Sequence, residues 1–146
     1  MAADRQGGDV MPLVPVKACI VGGKPVGKAR PRLGRGGRVY TPKATVKAER
    51  AVAAAWRAQV GIRHTGPVHV SLANGFAVPR SIAKAERARR LATAWHTQKP
   101  DIDNVVKLVL DALNGVAYDD DTQVVAVSTT KRWALLDGMT ITIVGA

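Results

Sequence analysis

Six of the eleven acidic residues in this 146-residue chain fall in one short window: Asp101, Asp103, Asp111, Asp119, Asp120 and Asp121. Carboxylates crowded together repel one another unless they are protonated or bridged by cations. Oxygen ligands without histidine or cysteine suit a hard cation, Mg²⁺ or Mn²⁺, rather than zinc. His64, His69 and His96 lie away from these acids in sequence, form no metal-ligand pair and are assigned no role. A hard cation can polarise a phosphoryl oxygen, help generate hydroxide and stabilise a leaving oxygen. Lys107 stands beside the acids. It could stabilise charge in a phosphoryl-transfer transition state or position the water, or it could serve as a structural counter-ion to Asp103 or Asp111.

The elements that would position these groups follow from residues 99–115. Pro100 biases Lys99 toward extended backbone, so the chain should enter a helix at 101–103. Near-extended residues two apart face the same side, so Asp101 and Asp103 can converge. The helix is expected over about 103–114, ending at Asn114-Gly115. Its polar residues Asn104, Lys107, Asp111 and Asn114 form one stripe on an otherwise apolar helix. A purely structural account makes Asp103 the N-cap, Asp101 a partner of the helix dipole, and Lys107–Asp111 an ordinary helical pair. That account leaves Asp119, Asp120 and Asp121 as a solvated turn. The functional account has a short connection after Gly115 bring both acidic groups to one end of a sheet.

Lysine and arginine number 22 against 11 acids, a net charge of +11 with a pI near 10.6. Such an excess favours a polyanionic partner, nucleic acid first and an anionic membrane surface second. Residues 23–38 carry Lys24, Lys28, Arg30, Arg32, Arg35 and Arg38 with no acid. Pro31 and the glycines deny this stretch a helix, so an exposed basic loop or splayed hairpin is expected. An Ala/Arg-rich helix over 81–95, capped by Ser81, carries Lys84, Arg87, Arg89 and Arg90. The loop residues together with Lys84, Arg87 and Arg90 are the candidate phosphate contacts. Trp95, Trp133 and Tyr40 could stack on exposed bases, with core packing the expected role for at least two of them.

Elsewhere, 16–22 and 67–78 read as strands, the second interrupted near Asn74-Gly75. Thr41 as N-cap with Pro42 in the first turn starts a helix that runs to about Val60 and stops at Gly61. Residues 123–135 and 139–145 read as two strands around an Asp137-Gly138 hairpin turn. The expected fold is a single α+β domain, a small mixed β-sheet with helices packed on it. Residues 1–13 should be a flexible leader and 14–146 the domain. The lone Cys19 sits in an apolar run and reads as buried and inert. No apolar run approaches the roughly 18 residues of a membrane span and the N-terminus lacks a signal-peptide core, so a cytoplasmic protein is expected.

DIDNVVKLVLDALNG followed by DDDTQVV resembles the RusA family of Holliday junction resolvases, at Asp101, Asp103, Asn104, Lys107, Asp111-Ala112-Leu113, Asp120-Asp121 and Gln123. The upstream GKPVGKARPR and YTPKAT look like phage and prophage members, so the similarity covers roughly residues 16–145. The resemblance implies a RusA-like fold and a homodimeric, Mg²⁺-dependent endodeoxyribonuclease of bacterial or phage-infected cells. Such an enzyme nicks four-way junctions symmetrically in DNA recombination and repair, with no small-molecule cofactor. It implies catalytic roles for Asp101, Asp103, Asp121 and Lys107, and metal ligation by Asp101, Asp103, Asp120 and Asp121. Asp119 is an extra acid that blurs the register by one position. A two-fold junction suits a two-fold dimer, its interface on the 103–114 helix or a sheet edge. The competing expectations are another metal-dependent branched-DNA nuclease or phosphohydrolase, and a junction-binding module without catalysis.

Overall fold

The computed structural model describes residues 17–146, so the expected 1–13 leader lies outside the described residues. Strands β1 (Ala18–Gly22), β4 (Val68–Ala77), β5 (Val124–Ala134) and β6 (Gly138–Gly145) form one mixed sheet in the order β1-β6-β4-β5. The β4–β5 pair is parallel and the others are antiparallel. Helices α1 (Lys43–Gln59) and α3 (Ile102–Leu113) pack against each other; α1 also packs on β1, and α3 on β5. A short helix α2 (Lys84–Thr93) packs on β5. The α+β architecture with a small mixed sheet is therefore observed.

Period-two patterning explains β4. Val68, Val70, Leu72, Asn74 and Phe76 are buried, while the residues between them face outward. Val68, Val70 and Leu72 meet Trp56 of α1 and Val105, Leu108, Val109 and Leu113 of α3 in one core. Each such side chain contributes about 1.5–3 kcal/mol of apolar burial. α3 turns most of its apolar side to this core and leaves Ile102 exposed. Among the described residues, no helix is long and apolar enough to cross a membrane.

Several expected details differ. β4 runs unbroken through Asn74-Gly75. Asn74 is buried, its Nδ2 donating to Thr129 Oγ1 (3.2 Å) and to the Thr130 carbonyl (3.0 Å). β5 and β6 are not a hairpin, because β4 lies between them. Their connection crosses the end of β4, where the Ala77 amide donates to Asp137 Oδ1 (2.8 Å). Strands two positions apart lie about 9.5 Å from each other, a span that three residues can bridge. Gly75 serves this crossing rather than a break: a Cβ there would meet Ala134 Cβ at 3.3 Å and the Leu136 carbonyl at 3.5 Å.

The helix starts also move. Pro42, not Thr41, is the N-cap of α1; its carbonyl accepts from the Thr45 and Val46 amides. Ala83, not Ser81, precedes α2, and Asp101 rather than Asp103 holds the cap position of α3. None of these helices has a side-chain cap bond. Gly61 does close α1, at φ 70° with its amide donating to the Trp56 carbonyl. The basic stretch forms the splayed hairpin: β2 (Arg32–Leu33) and β3 (Val39–Tyr40), with Leu33, Val39 and Tyr40 exposed.

Candidate active site

Asp101 and Asp103, at the start of α3, line one groove of about 740 Å³ with Trp95, His96, Ile102 and Lys131. Both are exposed. Asp101 accepts from Lys99 Nζ at 2.8 and 3.0 Å, and this contact holds its carboxyl below the usual carboxylate range. Asp103, in the first helical turn, has no hydrogen-bond or ion-pair partner among the described residues, and the helix dipole favours its negative charge. Lys107 follows one turn later, exposed and without an ion pair among the described residues. The Lys107–Asp111 helical pair is therefore absent, and Asp111 goes to Lys28 instead. Lys131 edges the same groove from β5, its Nζ donating to the Gln98 carbonyl.

The second acidic group divides. Asp119 pairs with Arg63 on the surface (2.6 Å). Asp120 caps a 3-10 turn at Asp121–Gln123; the Thr122 hydroxyl donates to it and, with backbone amides, keeps its carboxyl below the usual range. Asp121 is half-buried, opens the turn that packs against α3, and makes no ion pair among the described residues. These acids do not join Asp101 and Asp103 in the groove: no three Asp, Glu, His or Cys side chains among the described residues converge as a metal-holding group. Mg²⁺ is commonly held by one or two carboxylates, with water and substrate phosphate completing its shell. The Asp101–Asp103 pair therefore fits such a cation chemically, while Asp120 is committed to its turn.

Gln123 holds this turn in place. Its Oε1 accepts from the Asp119 and Asp120 amides, and its Nε2 donates to the His64 and Gly66 carbonyls at 3.0 and 2.9 Å. Gln123→Ala should lower stability by about 1–3 kcal/mol, since it strands backbone groups on both segments. A thermal melt checks this; an unchanged midpoint would mean that water replaces all of these bonds.

Of the nine candidate phosphate contacts, Lys24, Arg30, Arg32, Arg35, Arg38 and Lys84 are exposed and Arg87 is half-exposed. Arg90 bonds Glu86 (3.1 Å) and lies over the Trp133 ring, 4.8 Å from its centroid. Arg89 also bonds Glu86, and the two arginines pull its carboxyl down to about 2. Lys28 departs from the expected role. Its ammonium is shared between Glu49 of α1 (3.0 Å) and Asp111 of α3, so it ties the loop to both helices. Its amide donates to the Asn104 carbonyl (2.9 Å), and a Cβ on neighbouring Gly27 would lie 3.1 Å from both Pro100 and Asn104 Cβ.

His96, assigned no role from the sequence, is buried in the wall of the groove. It stacks on Phe76 (centroids 3.9 Å) and meets Trp133 edge-on (4.4 Å). Burial, then the charges of Lys131, Lys24 and Arg90, push its pKa below the usual 6.5. Below pH 6.5 the unfolded chain therefore takes up a proton that the folded chain refuses, and stability should fall until folded His96 titrates. Melts across this range should show that slope in the wild type and a flatter profile in His96→Gln. Parallel profiles would refute it. Lys131 and His96 escaped the sequence reading because strand alternation and a lone histidine both look structural.

Residues 22–144 match the endodeoxyribonuclease RusA family. The chain is also similar to the uncharacterized protein YqaN of Bacillus subtilis (strain 168), 37% identical over 73 residues. That stretch is 48% of this chain and 51% of YqaN, so the chain spans about half the length of the curated relative it matches. With most of its length in the family match, the groove and its acids included, the chain belongs to the RusA endodeoxyribonuclease family.

Proposed function

We propose that the protein is a Mg²⁺-dependent endonuclease of branched DNA that resolves four-way junctions by paired nicks. The observation that carries this reading is the groove at the start of α3. There, in a chain of net charge +11 from a nuclease family, Asp103, unpaired among the described residues, stands beside Asp101 and Lys131. Asp101 and Asp103 would hold the cation, and Mn²⁺ could replace Mg²⁺. A bound Mg²⁺ supplies charge stabilisation at the scissile phosphate and lowers the pKa of the attacking water. Lys107 offers an exposed ammonium one turn from Asp103, suited to charge that develops on the phosphate. Asp121 is the member of the second acidic group left free for chemistry, as an orienting group for water or metal. The hairpin arginines and α2 grip the flanking backbone, where their contacts set affinity rather than sequence.

Paired nicks call for two equivalent sites, which a homodimer supplies; the edge of β1, and that of β5 ahead of the Trp95–Arg132 bridge, are surfaces that could join two copies. Recombination and repair of DNA in the cytoplasm of a bacterial or phage-infected cell is the setting this activity fits. The test is a synthetic four-way junction incubated with protein in Mg²⁺ or in EDTA. Symmetric nicks only with Mg²⁺ support the reading. Binding without cutting in any divalent metal would leave a junction-binding module, and equal cutting of flaps would leave a less selective nuclease.

A further inference from the structure

Trp95 is 56% exposed, even though the Arg132 guanidinium covers one face of its ring, 4.3 Å from the centroid. With that face taken, the opposite face and the edge carry the exposure. The backbone holds the indole out. Ala94 ends α2 at φ 64°, an unfavourable left-handed conformation for a residue with a side chain. The Trp133 amide donates to the Ala94 carbonyl (2.7 Å) and the His96 amide to the Lys131 carbonyl (3.0 Å), so Trp95 is bridged rigidly to Arg132 along β5. Trp95 borders two hollows. One contains Asp101 and Asp103; the other is edged by Arg89 and Arg90, net cationic after their shared Glu86. Trp56 and Trp133 cannot do the same: Trp56 is fully buried, and Trp133 is half-buried with Arg90 over its ring and His96 against it edge-on.

We infer that Trp95 is a platform on which an unpaired nucleobase stacks, next to the phosphate that lies against Asp101 and Asp103. This deepens the nuclease reading and rests on it for the placement of the strand. A flat, sequence-tolerant aromatic face flanked by cations is the combination that binds single-stranded nucleic acid. A base inside a continuous duplex has no free face, so Trp95 favours strands already opened at a branch. The indole is a specificity-determining group, not a catalytic one.

The test is made in EDTA, where binding is separate from cutting, with a short labelled oligo(dT) and a fully paired duplex as probes. Trp95→Ala should weaken oligo(dT) binding roughly 10- to 100-fold, Trp95→Phe should retain most of it, and neither should alter duplex binding. Replacing single thymidines in turn by an abasic spacer should weaken binding at one position in the wild type and add nothing in Trp95→Ala. Equal oligo(dT) affinity in wild type and Trp95→Ala would overturn the inference. So would a loss shared equally by oligo(dT) and duplex. If the selective loss is seen but no DNA is cut in Mg²⁺, the nuclease reading fails while the platform stands. If junctions are cut but Trp95→Ala binds oligo(dT) normally, the platform fails alone.

Discussion

In a junction-cleavage assay with Mg²⁺, Asp103→Asn is expected to lose about 100- to 1,000-fold in rate and to bind the junction as tightly as the wild type. The exchange is nearly isosteric. It breaks no ion pair or side-chain hydrogen bond among the described residues, because Asp103 makes none. Its only structural debit is the loss of a negative charge in the first turn of α3, about 0.3–1 kcal/mol. The melting temperature should therefore drop by only about 1–4 °C, too little to mimic a folding defect. Asp119→Asn is the matched control. It removes a carboxylate of the same acid-rich region, but one tied to Arg63 on the surface, so it should cut almost normally. Near-wild-type cleavage by Asp103→Asn would remove the groove from the chemistry, and equal losses in both variants would point to bulk charge.

Lys28→Met should have the largest effect on stability, about 2–3 kcal/mol and roughly 5–10 °C in melting temperature. It leaves Glu49 and Asp111 facing each other across the α1–α3 seam without their shared cation. The groups are partly shielded, with side-chain exposures of 23–32%, so the loss should exceed that of a surface pair and fall short of a fully buried one. Adding Asp111→Asn should restore part of the loss, since the stranded carboxylate carries much of it. The hydrogen bond from Lys28 to Asp111, before all other contributions, raises the lysine pKa above 10.5. Its stabilisation is thus complete below pH 10.5 and fades as pH climbs through the raised value, so strong alkali should erode the wild type's advantage over the variant. A melt of Lys28→Met within 1 °C or so of the wild type would show that the contact is dispensable.

Much of this was legible in the sequence where the signal is local. The alternation of Val68, Val70 and Leu72 marked β4, and the narrow polar stripe of α3 marked a buried helix with one working face. What stayed hidden depends on distant partners. Asp137-Gly138 looks like a hairpin turn, yet the connection it lies in vaults over a strand, because β4 is in sequence far from both ends of that link. Lys28 reads as one more cation in a basic loop, since nothing nearby announces that Glu49 and Asp111 converge on it. The three adjacent aspartates look equivalent in one dimension. Only Arg63 and Thr122, together with the turn they help hold, separate a surface pair, a cap and a free carboxylate.

The strand order has a consequence for how the chain comes off the ribosome. β6 is the last of the described strands to be made, yet it lies between β1 and β4 and is the partner of β1 in the sheet. Cys19 pairs with Ile141, so β1 emerges with no strand to bind until nearly the whole domain has followed. At about 5–20 residues per second, that wait lasts on the order of ten seconds. During it the edges of β1 and β4 that β6 will fill stay unpaired, a window in which a chaperone or another nascent chain can reach them first. Completion of this sheet is thereby deferred until β6 has emerged, and the groove at the start of α3 rests on a finished sheet only from then on.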